Sequence, residues 1–548
     1  MPQGPAPEII RLTTEQLENL LAELRGLLPP KTYELVEGLL RTLQWLFLLL
    51  EEKTAKLARI RQLIGGPQTE KTCQLFAEAG EESSAATVKP KGKRKGHGRN
   101  GAKDYPGAQR IKVPHPSLKA GDPCPKCERG KVYLWKIPAL IVRIVAQPLI
   151  AATIYELEKL RCALCGAVFT APAPPAAGLT KYDPSVGVVL GLQRYGAGQP
   201  MYRTAKWQRF YGVPIPESTQ WELIVEATQL PAVIYPVMMV VAAQAHLFHN
   251  DDTSMRVQSL HKEIAATIEE EEQDPEATSH RRTGIFTTGI LAQVGPVRIA
   301  LFFTGQRHAG ENLAEVLKNR VTELAKPLQM CDGLSRNEPK EFETILSNCL
   351  AHARRKFVEQ IENFPQECRK VLESLREVYR QDELCRQQKL SDPERLAWHQ
   401  KNSQPVMDEL KSWMTEQLEN KQVEPNSQLG KAYRYMLKRW AKLTRFLEVP
   451  GAPLDNNCLE QALKMAITHR KNSLSYKTLN GARVGDIQMS IIHTCVLNKV
   501  NPYDYAMALQ RNAEAVLEKP EDWLPWVYQR TLEAKPKTGD SLPVNTSC

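Results

Sequence analysis

The sequence predicts a multidomain α+β protein, and three observations carry that prediction. A heptad seam of apolar residues runs near the N-terminus, two Cys-x-x-Cys pairs follow it, and beyond residue 241 β-type segments alternate with helical ones. With 548 residues the chain exceeds one compact core, so about three or four domains are expected. Charged residues at 24% and hydrophobic residues at 42% are the composition of a soluble globular protein. The formal charge of +10 is moderate, so where the positive residues lie matters more than their sum. The longest uncharged apolar stretch, residues 232–243, is about a dozen residues and holds Pro236, which suits a buried helix and not a membrane span. The N-terminal MPQGPAPEIIRL lacks a basic region leading into an apolar core, so no secretory signal is expected. Twelve cysteines, four of them in the two pairs, suit a reducing cytoplasm and a metal site better than disulfides.

Residues 1–66 are expected to be helical. Val36, Leu39, Leu43, Leu46, Leu50, Lys53, Leu57, Ile60 and Ile64 recur at alternating spacings of three and four, a coiled-coil seam interrupted once at Lys53 and stopped by Gly65-Gly66-Pro67. A leucine zipper of that length predicts a homo-oligomer. Residues 67–110 are poor in large apolar residues and form a basic flexible linker. Residues 89–103 hold seven Lys or Arg and no acid, and clustered cations bind DNA by releasing its counterions; Lys91, Lys93, Arg94, Lys95 and Arg99 are the candidate phosphate contacts.

In residues 111–175, the pairs Cys124/Cys127 and Cys162/Cys165 stand 34 residues apart, the form of a tetrathiolate zinc ribbon. Four sulfurs leave no open coordination position, so this zinc is structural. Residues 132–137 and 139–154 are rich in Val, Ile and Ala and predict short strands between the pairs. Residues 176–240 are helical. A helix over 202–210, a turn at Gly212 and Pro214, and a second helix capped by Ser218 fit either a helix-turn-helix DNA-binding unit or a plain helical hairpin.

Residues 241–500 carry the chemistry. Residues 245–257 (AHLFHNDDTSMRV) predict a strand ending in acids, and 283–304 predict a hairpin turning at Gly295-Pro296. Between them the four glutamates at 269–272 read as a solvated acidic loop. A helix near 312–324 leads to a short strand, 327–331, that runs into Asp332. Acid-tipped strand, hairpin, helix and second acid-tipped strand is the order of an RNase H-like α/β core. Carboxylates so placed can share divalent cations, which activate the attacking oxygen and stabilise the leaving oxygen of a phosphodiester displacement. A third acid is expected on a later helix. Glu460 fits, within two turns of a cap supplied by Asp455 or Asn456. The run His469-Arg470-Lys471-Asn472 follows about three turns on, where Arg470 and Lys471 can clamp phosphates. Residues 358–447, charged and leucine-spaced, predict a helical insertion among the 127 residues between Asp332 and Glu460. Residues 501–548 form a C-terminal segment, disordered beyond Pro536.

Together these segments resemble transposases of the insertion sequence 66 family. The likeness rests on the zipper, RKGHGRNGA (94–102), the paired Cys-x-x-Cys, HNDDT (249–253), CDG (331–333), AHARRKF (351–357), LDNNCLEQA (454–462), HRKNSL (469–474) and the closing NPYDY (501–505). It implies a DDE-type enzyme whose catalytic acids and magnesium (or manganese) ligands are Asp251, Asp332 and Glu460. Hydrolysis at the element ends would be followed by attack of the freed 3′ hydroxyl on target DNA. The resemblance also implies DNA contact by His352, Arg354 and Arg355, and helper proteins encoded by the element. Asp252 stands where the family carries Glu, which leaves Asp251 and Asp252 both open as the first acid. The partners expected are DNA, as element ends and target, and further copies of the chain, with no membrane. A zinc-containing DNA-binding regulator, or an RNase H-like nuclease that cuts without joining, would share several features. The zipper, arm and ribbon ahead of the core favour the transposase.

Overall fold

The computed structural model describes residues 14–42, 113, 116–126, 129–134, 149–161, 168–271 and 282–534. They belong to two compact units, residues 1–89 and 90–548. In the first unit, helix Thr14–Leu27 buries Leu17 and Leu21, an i,i+4 pair on one face. Leu28-Pro29 breaks the helix, and residues 30–42 are helical again, with Pro30 at the first helical position, where no N–H is needed. Arg41 donates to Glu37 on its own helix (3.0 Å) and to Glu18 on the first (3.1 Å), so the two fold back on each other. Of the heptad seam, Val36 is half-buried and Leu39 exposed. Leu43 to Ile64, and the arm bearing Lys91, Lys93, Arg94, Lys95 and Arg99, lie outside the described residues.

Of the four cysteines expected to bind zinc, Cys124 is described, and Cys127, Cys162 and Cys165 lie outside the described residues. The Cys124 amide donates to the Gly130 carbonyl (2.7 Å) beside an antiparallel bridge between Pro123 and Lys131. Strands β1 (Lys159–Arg161) and β2 (Val168–Thr170) pair antiparallel on either side of the second cysteine pair. The described parts of 132–137 and 139–154 are not strands, contrary to expectation. Among the described residues, the pairing lies on either side of the second cysteine pair.

The larger unit is built on a five-stranded mixed sheet in the order β5-β4-β3-β6-β7. Here β3 is Leu247–Ser254, β4 Phe286–Val294, β5 Val297–Gly305, β6 Leu328–Cys331 and β7 Ile345–Asn348. The first three pair antiparallel, with Gly295 at φ +56° in the two-residue turn between β4 and β5; β6 and β7 run parallel to β3. Alternation assigns the faces. Phe248, Ile290, Ala292, Ile299 and Leu301 pack one face against helices Glu217–Ala243 and Ala309–Leu317. Leu291, Ala300 and Phe302 pack the other against helix Asn457–Ser473 through Leu459, Ala462, Leu463 and Ala466.

The sheet's β5 edge is sealed by helix Leu479–Leu497. Asp486, Ser490, Thr494 and Asn498 recur every four residues, and their side-chain oxygens accept from the amides of Thr304, Phe302, Ala300 and Arg298 at 2.7, 2.9, 3.0 and 3.2 Å. Four helical residues rise about 6 Å and two strand residues about 6.7 Å, so the two ladders stay in step. Burial holds the Asp486 carboxyl up at about 7 against the Thr304 hydrogen bonds that favour its charged form.

Helix Glu217–Ala243 contains Pro231 and Pro236. Pro231 has no N–H to give to the Ala227 carbonyl, and Gln510 Nε2 donates to that oxygen instead (3.2 Å). The helix is long and apolar enough to cross a membrane by length and composition, yet Leu230, Ile234, Met238, Ala242 and Ala243 are spent on the core. Its N-cap is Pro216, with Ser218 inside the helix, which corrects the expected cap. Its exposed positions include Glu217, Glu222 and Glu226, and it holds no Lys or Arg.

Other differences have local causes. Helix Gln258–Glu271 carries Glu269 to Glu271 in its last turn, where a loop was expected, because glutamate extends a helix readily. Helix Ala309–Leu317 starts three residues earlier than expected, where Glu311 accepts from the His308 amide (2.9 Å), and it stops well short of 324. The C-terminal residues are part of the core: Tyr505, Leu509, Val516, Trp523, Leu524 and Tyr528 pack with Ile234 and Phe248. The insertion is helical as expected, with helices Pro365–Gln387, Asp392–Asn402, Gln404–Glu419 and Gln428–Lys438 around a separate apolar interior.

Candidate active site

Adjacent aspartates on β3 point to opposite faces of the sheet. Asp252 is spent on structure: it accepts from Thr288 Oγ1 (2.6 Å) and the Ala309 amide (3.1 Å) and pairs with His308 Nδ1 (3.0 Å). Asp251 faces the other way, toward Asp332, which follows β6. Asn337 Nδ2 donates to Asp332 Oδ1 (2.5 Å) and Asp251 Oδ1 (3.3 Å), joining the two carboxylates. Burial first, then the Asp332 carboxylate, raises Asp251 to about 7. Two acids this close repel unless a proton or a cation lies between them.

The turn after β6 is held from the insertion. Arg439 Nε and NH2 donate to the Gly333 carbonyl (3.3 and 3.0 Å), and its guanidinium lies 4.1 Å from the centre of the Tyr435 ring. Lys356 lies 4.4 Å from the centre of the same ring. Asp332, Gly333, Leu334, His352, Arg355, Lys356, Glu359 and Tyr435 line a cleft of about 220 Å³.

Helix Asn457–Ser473 brings Glu460 to this region on its first turn. Gly289 lies opposite Asp251 on β4, and a Cβ there would fall 2.8 Å from Leu463 and 3.2 Å from Leu459, so its absence lets the helix settle onto the strand. The cap is divided between two residues. Asp455 Oδ1 accepts from the Asn457 amide (3.1 Å), while Asn456 turns its side chain to His249 Nδ1 on β3 (2.9 Å) and gives its amide to Cys349 Sγ (3.3 Å). Burial pushes His249 down to about 4, so it meets Asn456 as a neutral ring.

Glu460 does not sit against the aspartates. Its Oε1 lies 3.6 Å from His352 Nε2, and Cys349, His352 and Glu460 place ligand atoms within 4.8 Å of one another. Glu460 Oε1 and His352 Nδ1 are buried without a hydrogen-bond partner. A buried acceptor left open costs about 1–3 kcal/mol, which fits a position built to receive a cation or a donor.

The expected basic residues divide. Arg355 is exposed at the cleft and Arg354 half-buried. Arg470 is tied to the end of β3 through Thr253 Oγ1 (3.2 Å) and the Ser254 carbonyl, and Lys471 is exposed. His469 is buried, its ring stacked between Tyr195 and Tyr476 at 5.6 and 4.5 Å. Burial, with Arg194 nearby, pushes it down to about 3, so it carries no charge for a phosphate. The unfolded chain takes that proton near pH ~6.5, so stability should fall as pH drops through that value. His469→Phe keeps the stack and removes the titration. Its unfolding midpoint should therefore depend less on pH between 7 and 5 than that of the unsubstituted chain; equal slopes would rule out the buried neutral ring.

The Transposase IS66 family matches this chain over residues 181–484, more than half of its length. The chain belongs to the IS66 family of transposases. Two proteins of Sinorhizobium fredii named as uncharacterized are similar to it. One, y4hP, is 26% identical over 401 residues, 69% of this chain and 68% of that one. The other, y4jD, is 32% identical over 188 residues, 34% of this chain and 36% of that one. Membership implies DNA as a partner of the transposase and use of a divalent metal. Asp251, Asp332, Glu460, Asn337 and His352 all fall within the matched stretch, while the cysteine pairs precede it.

Proposed function

We propose that this transposase cuts and joins DNA at the ends of its insertion sequence, with Asp251, Asp332 and Glu460 as a DDE set on an RNase H-like core. The observation that carries the proposal is the Asp251–Asn337–Asp332 junction at neighbouring parallel strands, where two carboxylates share one amide. Asp251 is preferred to Asp252 because every Asp252 oxygen contact is already structural. Glu460 completes the set from a helix laid over Asp251 through Gly289. These acids would hold magnesium or manganese, which would supply activation of the attacking oxygen and stabilisation of the leaving one. Asn337 fixes the facing aspartate oxygens, His352 lies beside the Glu460 carboxylate at 3.6 Å, and Arg355 and Lys356 line the cleft with positive charge for a phosphate backbone. Arg354 and Lys471 would extend that contact along the DNA, whereas Arg470 acts first in holding β3.

The proposal extends to the flanking regions. Residues 1–66 would assemble copies through the zipper, 67–110 would contact phosphates, and 111–175 would be ordered by zinc on Cys124, Cys127, Cys162 and Cys165. Residues 176–240 would lead into the catalytic domain at 241–500, with its insertion at about 358–447 and the segment 501–548 closing the core. Helper proteins of the element would act with it. The deciding experiment incubates the purified full-length chain with labelled duplex bearing the terminal repeats. End cleavage and joining are expected with magnesium, and binding without reaction with calcium. Binding without reaction in magnesium or manganese, even with the helpers added, would give way to the regulator reading; cleavage without joining would leave a nuclease.

A further inference from the structure

Helix Met201–Phe210 leads into the core helix, and one of its faces is anchored while the other is open. Thr204, Ala205 and Gln208 are buried. On the outer side Tyr202, Trp207, Phe210 and the following Tyr211 are 50%, 54%, 66% and 49% exposed. Their rings are already arrayed: Trp207 meets Phe210 edge-on at 5.9 Å and stacks with Tyr211 at 6.1 Å and 23°. Cations are interleaved with them. Arg203 lies 5.5 Å from the centre of the Tyr202 ring and Lys206 lies 5.8 Å from that of Phe210, with Arg209 alongside. No acid occurs from Met201 to Pro216. Four exposed aromatic rings in eleven residues are costly to leave in water and mark a binding surface.

We propose that this face is a stacking platform for unpaired bases of DNA, held beside the cleavage site. The inference rests on the transposase reading and adds a single-stranded substrate site to it. The charge selects the occupant: three cations without an acid suit a phosphate backbone, and rings between them suit exposed base faces, which an intact duplex hides in its own stack. The position suits it as well. Asn472 Nδ2 donates to the Gly198 carbonyl just ahead of the platform helix (2.9 Å). Asn472 and Glu460 lie on one helix, twelve residues apart, a rise of about 18 Å. At 3.4 Å per base pair, that spans about five base pairs. A strand frayed at the element end is therefore within reach of both.

The test compares the full-length chain with Trp207→Ala/Phe210→Ala by fluorescence anisotropy, using a labelled twenty-nucleotide thymidine strand and a blunt duplex of equal length at one salt concentration. The platform predicts at least ~10-fold weaker single-strand binding in the double variant and less than twofold change on the duplex. Trp207→Tyr should keep most of the single-strand affinity, and a 2-aminopurine strand should lose fluorescence on binding the unsubstituted chain but not the double variant. Equal losses on both probes, or no loss on either, would overturn the platform. So would unchanged DNA affinities together with a lower oligomeric mass, which would give the face to a second copy of the chain. Failure of the unsubstituted chain to bind the duplex at all would remove the transposase reading, and the platform with it. Duplex binding that survives without a single-strand effect removes the platform alone.

Discussion

Asp332→Ala should abolish end cleavage and joining, lowering single-turnover rates by at least ~10³ while DNA affinity stays within about twofold. Loss of a metal-holding carboxylate removes several kcal/mol of transition-state stabilisation, and each 1.36 kcal/mol is a factor of about ten. Glu460→Gln should behave alike, because an amide keeps the shape and loses the charge. Asp252→Asn separates the two candidates for the first acid. Asp252 bonds Thr288, His308 and the Ala309 amide, so its loss should lower the unfolding midpoint and reduce activity only in proportion to the folded fraction. Asp251→Asn should leave the midpoint in place and remove the chemistry. The reverse pattern would move the first acid to Asp252.

The second large effect lies in the insertion. Asp382 is almost fully buried and meets His399 Nε2 at 3.2 Å, Arg395 at 2.7 Å and Arg386 at 2.7 Å. Burial pushes its carboxyl up, but the His399 hydrogen bond and the two guanidiniums outweigh it and hold the group well below the usual carboxylate range. Asp382→Ala takes the acceptor from buried His399 and mostly buried Arg395, while exposed Arg386 can turn to water, and should cost about 3–5 kcal/mol, as breaking a buried pair does. The pH sign follows from the depressed value. The unfolded aspartate titrates near pH ~3.9, so the contribution is complete above that pH and is lost as pH falls below it. Hydrogen exchange on residues 365–438 measures both, since a chain of several domains need not unfold in one step. Protection in the variant equal to that of the unsubstituted chain would exclude the cost.

What the sequence made legible follows from how locally each feature is encoded. The β4–β5 hairpin and the acid-bearing β3 declare themselves through alternation and a Gly-Pro turn, and Glu460 through a capped amphipathic helix. By contrast, β7 is four residues of unremarkable composition, positioned only by its pairing with β6. Asn337 is an ordinary loop asparagine until the fold sets it between two acids. The meeting of His352 with Glu460 spans more than a hundred residues and leaves no local mark. The Asp486, Ser490, Thr494 and Asn498 spacing is present in the sequence, but polar residues at every fourth position mark a solvated helix face equally well. Only the naked edge of β5 gives them their meaning. In the run 469–472, sequence adjacency sets the buried neutral ring of His469 beside Arg470 and Lys471, and burial leaves no mark in the residue order.

That sealed edge has a consequence for how the protein is made. Strand β5 leaves the ribosome about 180 residues before the helix that covers it, and at ~5–20 residues per second the delay is roughly 10–40 s. Throughout it a strand reading Val-Arg-Ile-Ala-Leu-Phe-Phe offers an unpaired rim to any neighbouring nascent chain. Each polysome would then hold several such rims close together, and the yield of intact enzyme would be set by how quickly translation delivers residues 486–498 compared with how often two rims meet. Slower initiation, which spaces the ribosomes apart, should raise that yield more than slower elongation, which only lengthens the exposure.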